Sequence, residues 1–263
     1  MKNLTKIFMA IVALMAFSCV TDTTEDLSVP GANGGLTSIT LSLEEARTQL
    51  GEESDGVYPL LWSEGDQISV NGVASQPLTV AQAGQASATF SVEVVADSYE
   101  IAYPAAEAGQ VLFAENQTHA ANNTFGNGVT TMYAKCAADE PIQLQHLTAI
   151  LKIGVSGEAK LTHAQISTID RAPIAGAFTV GEEGEVVATA NSKSVINYSF
   201  GDGLQLTGEA QYIHVAVPAG IYDELYVTLY DSNNGVMYAT VAANDKNPLT
   251  APKSKITIIS CFI

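Results

Sequence analysis

The stretch Leu144-Gln-His-Leu-Thr-Ala-Ile-Leu-Lys-Ile-Gly-Val155 divides the chain. Leu147, Ala149, Leu151, Ile153 and Val155 fall on one side of a period-two alternation, and His146, Thr148, Ile150 and Lys152 fall on the other. Such an alternation, with one wholly apolar face, predicts a β-strand packed on a core. About 120 mature residues precede it and about 110 follow, each a usual size for one β-sandwich. The strand therefore marks a seam, closing one domain or opening the next.

Short alternating runs continue on both sides. Upstream, Ile39, Leu41 and Leu43 alternate with Thr40, Ser42 and Glu44, which predicts a half-buried first strand. Val57 to Trp62 then leads through Ser63-Glu-Gly65 into Asp66 to Val70, with Gly65 suited to a tight connection. Further strands are expected at 88–92, 98–103, 110–113 and 131–134, with an exposed loop from Asn116 to Gly128. Downstream they are expected at 164–169, 174–180, 204–206, 211–217, 225–230, 236–241 and 255–260, with turns at 181–184, 201–203 and 231–235. No run shows a helical apolar stripe of three turns, so the fold is read as all-β, in two sandwiches.

The chain has 263 residues, of which 47% are hydrophobic and 15% charged, as expected of a buried core. Its 11 Lys+Arg against 28 Asp+Glu give a net charge of -17, a field that repels nucleic acid and anionic lipid. The three cysteines, Cys19, Cys136 and Cys261, show no C-x-x-C spacing, so no zinc site is expected. Cys136 and Cys261 are either a disulfide pair or two separate thiols, since spacing does not report proximity.

The amino terminus reads as an address. Lys2 and Lys6 precede an apolar run from Ile7 to Phe17, too short to span a bilayer and shaped like a secretory signal. It ends in Leu14-Met-Ala-Phe-Ser-Cys19, which resembles a bacterial lipobox with Cys19 as the lipidated first mature residue; the other reading is an ordinary signal peptide with an incidental cysteine. Loss of residues 1–18 removes two lysines and no acid, taking the net charge from -17 to -19. Residues 19–35, acidic and rich in Gly with Pro30, then form a flexible tether. The domain plan is a lipoprotein signal peptide at 1–18, that tether, an N-terminal sandwich at 36–155 and a C-terminal sandwich at 156–263.

Chemistry-bearing patterns are sparse. His119, His146, His163 and His214 lie on different expected elements and are read as sheet or surface residues. Glu64 and Asp66 read as turn residues, because nothing nearby would complete a catalytic pair. Asp231-Ser-Asn-Asn-Gly235 resembles the start of a calcium loop but lacks a closing Glu, so a hairpin turn is expected. One Trp and ten scattered Tyr give no evident aromatic platform for sugar, though the tyrosines leave that open. No G-x-S-x-G elbow or phosphate-cradling loop occurs, and no catalytic residue, cofactor or metal is assigned.

One ordered set of motifs carries a resemblance. Trp62-Ser-Glu-Gly-Asp-Gln-Ile-Ser-Val70, Ala88-Thr-Phe90, Tyr103-Pro104, the Leu144–Val155 stretch and Pro173-Ile-Ala-Gly176 follow a lipobox in that order. Together they resemble the fimbrillin family of Bacteroidetes lipoproteins across almost the whole chain. The resemblance implies two tandem transthyretin-like β-sandwiches and a fimbrial subunit or fimbria-associated surface lipoprotein contributing to adhesion. It further implies an outer-membrane lipid anchor at Cys19, and partners that are other fimbrial subunits joined by donor-strand exchange. In that scheme a surface protease cuts after a basic residue and releases the first strand. Arg47, the only Lys or Arg between Cys19 and Lys135, is the candidate; the plainer reading is a solubilising charge at a strand end. The carboxyl-terminal run 255–263 is the candidate donor, or simply the last strand of its own domain. The alternative function is a surface lipoprotein that binds glycan or host protein without polymerising.

Overall fold

Period-two alternation of apolar and polar side chains favours strands. A computed structural model of this chain describes residues 36–42, 49–50, 60–120, 125–182, 184–220, 222–243 and 258–262. Among them every regular element is a β-strand. The first half runs β1 (Thr37–Ser42), β2 (Gln49–Leu50), β3 (Leu60–Leu61), β4 (Ser69–Val70), β5 (Val73–Ala74), β6 (Ser87–Val92), β7 (Ser98–Tyr103), β8 (Val111–Phe113), β9 (Asn116–Thr118), β10 (Met132–Ala137) and β11 (Gln145–His146). The second runs β12 (Thr148–Val155), β13 (Lys160–Thr168), β14 (Ala175–Val180), β15 (Val186–Lys193), β16 (Val195–Gln205), β17 (Gln211–Pro218), β18 (Tyr222–Asp231), β19 (Val236–Ala243) and β20 (Ile258–Phe262).

Residues 34–263 form one compact unit, within which the apolar side chains gather into two main cores. The first lies among short strands. Ile39 and Leu41 of β1, Phe90 and Val92 of β6, and Ile101 and Tyr103 of β7 surround Trp62, which is fully buried. Here β1 pairs with β6, while a five-stranded sheet runs β11-β10-β7-β4-β5. The second core is a sandwich of a three-stranded sheet, β17-β12-β20, and a five-stranded sheet, β19-β18-β13-β16-β9. Its filling is largely aliphatic and β-branched, as long half-buried strands favour: Leu151, Ile153 and Val155 face Ile166, Ile196 and Val227. Each such side chain contributes roughly 1.5–3 kcal/mol by leaving water.

The seam stretch changes sheets at Leu147. Gln145 and His146 pair with β10, whereas Thr148–Val155 pairs antiparallel with β17 and parallel with β20. Ala149, Leu151, Ile153 and Val155 are fully buried in the second core, as their alternation predicts. Leu147 departs from that set and packs with Phe113 and Phe178.

Two expectations are corrected here. The Asn116–Gly128 segment is not simply an exposed loop, because β9 pairs in parallel with β16. Gln117 is buried; its Nε2 donates to Ala216 O at 2.7 Å, and its Oε1 accepts from Ala216 N–H at 2.9 Å. The side-chain amide thus caps the edge of β17 as another strand would, while Phe125 and Val129 pack on Ile150 and Ala216. Second, Gly201-Asp-Gly203 lies inside β16 rather than between strands, with φ of 58° and 99° at its glycines. The β13–β16 register shifts between Leu161 and His163, opposite these glycines, so an irregularity is absorbed without ending the strand. Gly176 of the Pro173–Gly176 motif has a stricter requirement: φ is +84°, and a Cβ there would stand 2.5 Å from Asn191 O.

Candidate strand-exchange site

β1 is held by one neighbour. Among the described residues it pairs only with β6, antiparallel from Thr37↔Val92 to Ser42↔Ser87. Gln76 N–H donates to Ser91 O (2.9 Å) and Gln82 Nε2 to Thr89 O (3.0 Å), so these β6 carbonyls point away from β1. Strand alternation then leaves Ala88, Phe90 and Val92 as the residues exchanging backbone bonds with β1. The Thr40 and Thr89 hydroxyls lie 2.8 Å apart, as a closely spaced cross-strand pair allows, and the Thr37 hydroxyl donates to Val94 O. On the inner side Ile39 and Leu41 are 4% and 2% exposed. Withdrawal of β1 would therefore bare one row of backbone groups and one apolar trough.

The floor of that trough is built by the Trp62–Val70 motif. Trp62 meets Phe90 edge-on at 4.9 Å and Tyr103 at 5.4 Å between ring centroids. The following turn is fixed by Asp66, whose Oδ2 accepts from Ser63 N–H at 2.7 Å, with Gly65 at φ +83°. Its Oδ1 accepts from the Tyr103 hydroxyl, also at 2.7 Å. Burial, reinforced by the Asp66 carboxylate, pushes the Tyr103 phenol well above its ordinary range, so it remains a donor. The carboxylate is thus engaged in holding the floor. The next strand, β2, pairs with β3 immediately before Trp62.

Cys19 and Arg47 both lie outside the described residues. In the sequence Arg47 lies between Ser42, the last residue of β1, and Gln49, the first of β2. At the other terminus, β20 occupies the open edge of β12, in register from Ile150↔Ile258 to Gly154↔Phe262. Residues 258–262 of the run considered as a donor therefore pair with a strand of their own chain. Cys136 carries a free thiol, raised in pKa by burial and then by Glu140.

The histidines are dispersed over the strands, with one encounter. His214 lies opposite Lys152 across β17 and β12. Burial, followed by Lys152 and His119, lowers its pKa to about 4. The Asp231 turn is a hairpin closure, since Asp231 Oδ1 accepts from Asn233 N–H and Gly235 N–H, each at 2.7 Å. Among the described residues no cluster of three or more His, Cys, Asp or Glu is arranged to hold a metal. Sequence reading missed the grouping of Tyr226, Tyr230 and Tyr238. The signal was available: once the 225–230 and 236–241 strands form a hairpin, their alternate residues share a face.

No family model matches the chain, and no curated protein matches it. Solved structures do. One is a candidate cell adhesion protein from Bacteroides uniformis, 14% identical, with 77% of this chain and 88% of that chain covered and a TM-score of 0.42. Another is the tip fimbrial protein from Porphyromonas gingivalis with a C-terminal truncation, 10% identical, with 86% and 92% covered and a TM-score of 0.30.

Proposed function

We propose that this chain is a structural fimbrial subunit or fimbria-associated surface lipoprotein, anchored through Cys19, assembling by strand exchange and contributing to adhesion. The observation that carries the proposal is β1: a strand that, among the described residues, pairs with β6 alone, covers an aromatic trough and precedes Arg47 in the sequence. Cleavage after Arg47 would release it without interrupting β2. The vacated edge of β6 offers backbone partners to a strand from another chain, and the trough offers sockets for its alternate side chains. The body is read as two sandwiches, at 36–155 and 156–263, with β12 at their seam, and the chemistry as binding rather than catalysis. In this reading the 255–263 run is the donor. A second reading, a surface lipoprotein that binds glycan or host protein without polymerising, is favoured by one fact: β20 already fills the β12 edge of its own chain.

The test compares the parent with Arg47→Ala in cells. The first reading expects filaments whose subunits begin at Thr48, and their loss in the variant. Filaments whose subunits begin at Cys19, or normal filaments from the variant, would defeat cleavage after Arg47 and leave an anchor or non-polymerising role.

A further inference from the structure

We infer that the outer face of the five-stranded sheet β19-β18-β13-β16-β9 binds a neutral glycan. This site belongs to the glycan-binding reading above and stands independently of strand exchange.

Register places one unbroken row across all five strands: Tyr238, Thr228, Gln165, Asn197 and Asn116. With strands about 4.8 Å apart the row is roughly 19 Å long, enough for several sugar rings. Its side chains are linked laterally. The Tyr230 hydroxyl donates to Gln165 Oε1 (3.3 Å), Gln165 Nε2 to Asn197 Oδ1 (3.3 Å), and Asn197 Nδ2 to Asn116 Oδ1 (3.4 Å). These are long bonds among exposed or half-buried groups, and each amide has further donor and acceptor capacity. The next row sets the His163 ring flat against the Tyr230 ring, with centroids 4.2 Å apart and planes 7° from parallel. Tyr238 is 72% exposed, and Tyr226 lies half-buried on the same face. The reverse side of the sheet, with Ile166, Ile196 and Val227, is the second core, so the platform is rigidly backed.

Charge decides the ligand class. Across these rows, from Tyr226 to Tyr230, Val236 to Thr240, His163 to Ser167, Val195 to Ser199 and Asn116 to Thr118, no outward residue is Asp, Glu, Lys or Arg. In a chain of net charge -17, this face carries none of that charge. It lacks the cations an acidic polysaccharide would need, and the surrounding field would repel such a ligand. It also lacks a large aliphatic centre for a protein partner. Phenol and imidazole rings beside a ladder of amides and hydroxyls suit a neutral polyol, whose apolar ring faces and hydroxyl edges both find contacts.

The experiment uses the full chain carrying Arg47→Ala, so that polymerisation plays no part. Affinity electrophoresis is run in gels containing neutral polysaccharides (α-glucan, β-glucan, mannan, galactan and xylan), with heparin as the anionic control. Retardation is expected by at least one neutral polymer and not by heparin. Tyr238→Ala and Gln165→Ala should each weaken it at least tenfold, with unchanged melting temperature because both side chains are exposed. Retardation by none of the neutral polymers, or by heparin alone, overturns the proposal. Neutral binding that survives both substitutions would keep a glycan-binding protein but place the site elsewhere, which also overturns it. So would sedimentation showing a dimer that these substitutions dissolve, since the face would then serve a second copy of the chain.

Discussion

The two cores of this protein differ in how they are closed. The second is a sandwich of long strands in which β12 lies between two neighbours and the β17 edge is capped by Gln117. The first is closed on one side by β1, which has β6 as its one strand partner among the described residues. Both are filled mainly by aliphatic residues, but the first is centred on Trp62 between Phe90 and Tyr103, whereas the aromatic pair of the second is Tyr198 and Phe200. In the proposed exchange it is the first core that would give up a strand and present a trough. That contrast is what the proposed strand exchange rests on.

The largest effect should come from breaking the second core. Leu151→Asp places an unpaired carboxylate where no side-chain surface is exposed, at a cost of several kcal/mol, comparable with the whole stability of a small domain. Circular dichroism should show loss of sheet structure at 25 °C; an unchanged melting curve would contradict the placement. Leu41→Ala should cost less, about 2–5 kcal/mol, and confine its damage to the first core. Hydrogen exchange should quicken in β6 and β7 while β13 and β18 keep their protection. Equal loosening of both would erase the contrast drawn here.

A smaller effect sharpens the comparison through pH. His214 is buried and uncharged in the second half, with its pKa held near 4, below the ordinary value of 6.5. The unfolded chain therefore binds a proton between those values that the folded chain refuses. Stability from this group is complete above about pH 6.5 and is lost as pH falls toward 4, by up to about 3 kcal/mol. His214→Gln should flatten that part of the stability–pH profile; a profile identical to the parent's would show that His214 titrates normally.

Much of this was legible in the sequence because alternation is a local signal. The seam residues 149–155, the first strand with Ile39 and Leu41, and the Asp231 hairpin all follow from period two and turn chemistry. What escaped was non-local. Nothing local distinguishes Gln117 from a loop residue until the Ala216 backbone is brought beside it, 99 positions away. The Leu144–Val155 alternation runs across Leu147 without a break, although the chain changes sheets there, because both sheets demand the same period. The tyrosines themselves were within reach, since β18 and β19 form a hairpin, but His163 and Gln165 join them only because topology sets β13 beside β18.

The central claim is that β1 is a removable cover over a receptive trough. The most direct measurement cuts the purified full chain after Arg47 with a trypsin-type protease, removes the released segment, and titrates the remainder with a synthetic peptide of residues 255–263. The account predicts that the cut chain melts several degrees lower and keeps its second core. It should then bind about one equivalent of peptide and regain most of the lost melting temperature, while the uncut chain binds none. A cut chain that melts like the parent, or that gains nothing from the peptide relative to a scrambled one, would contradict it.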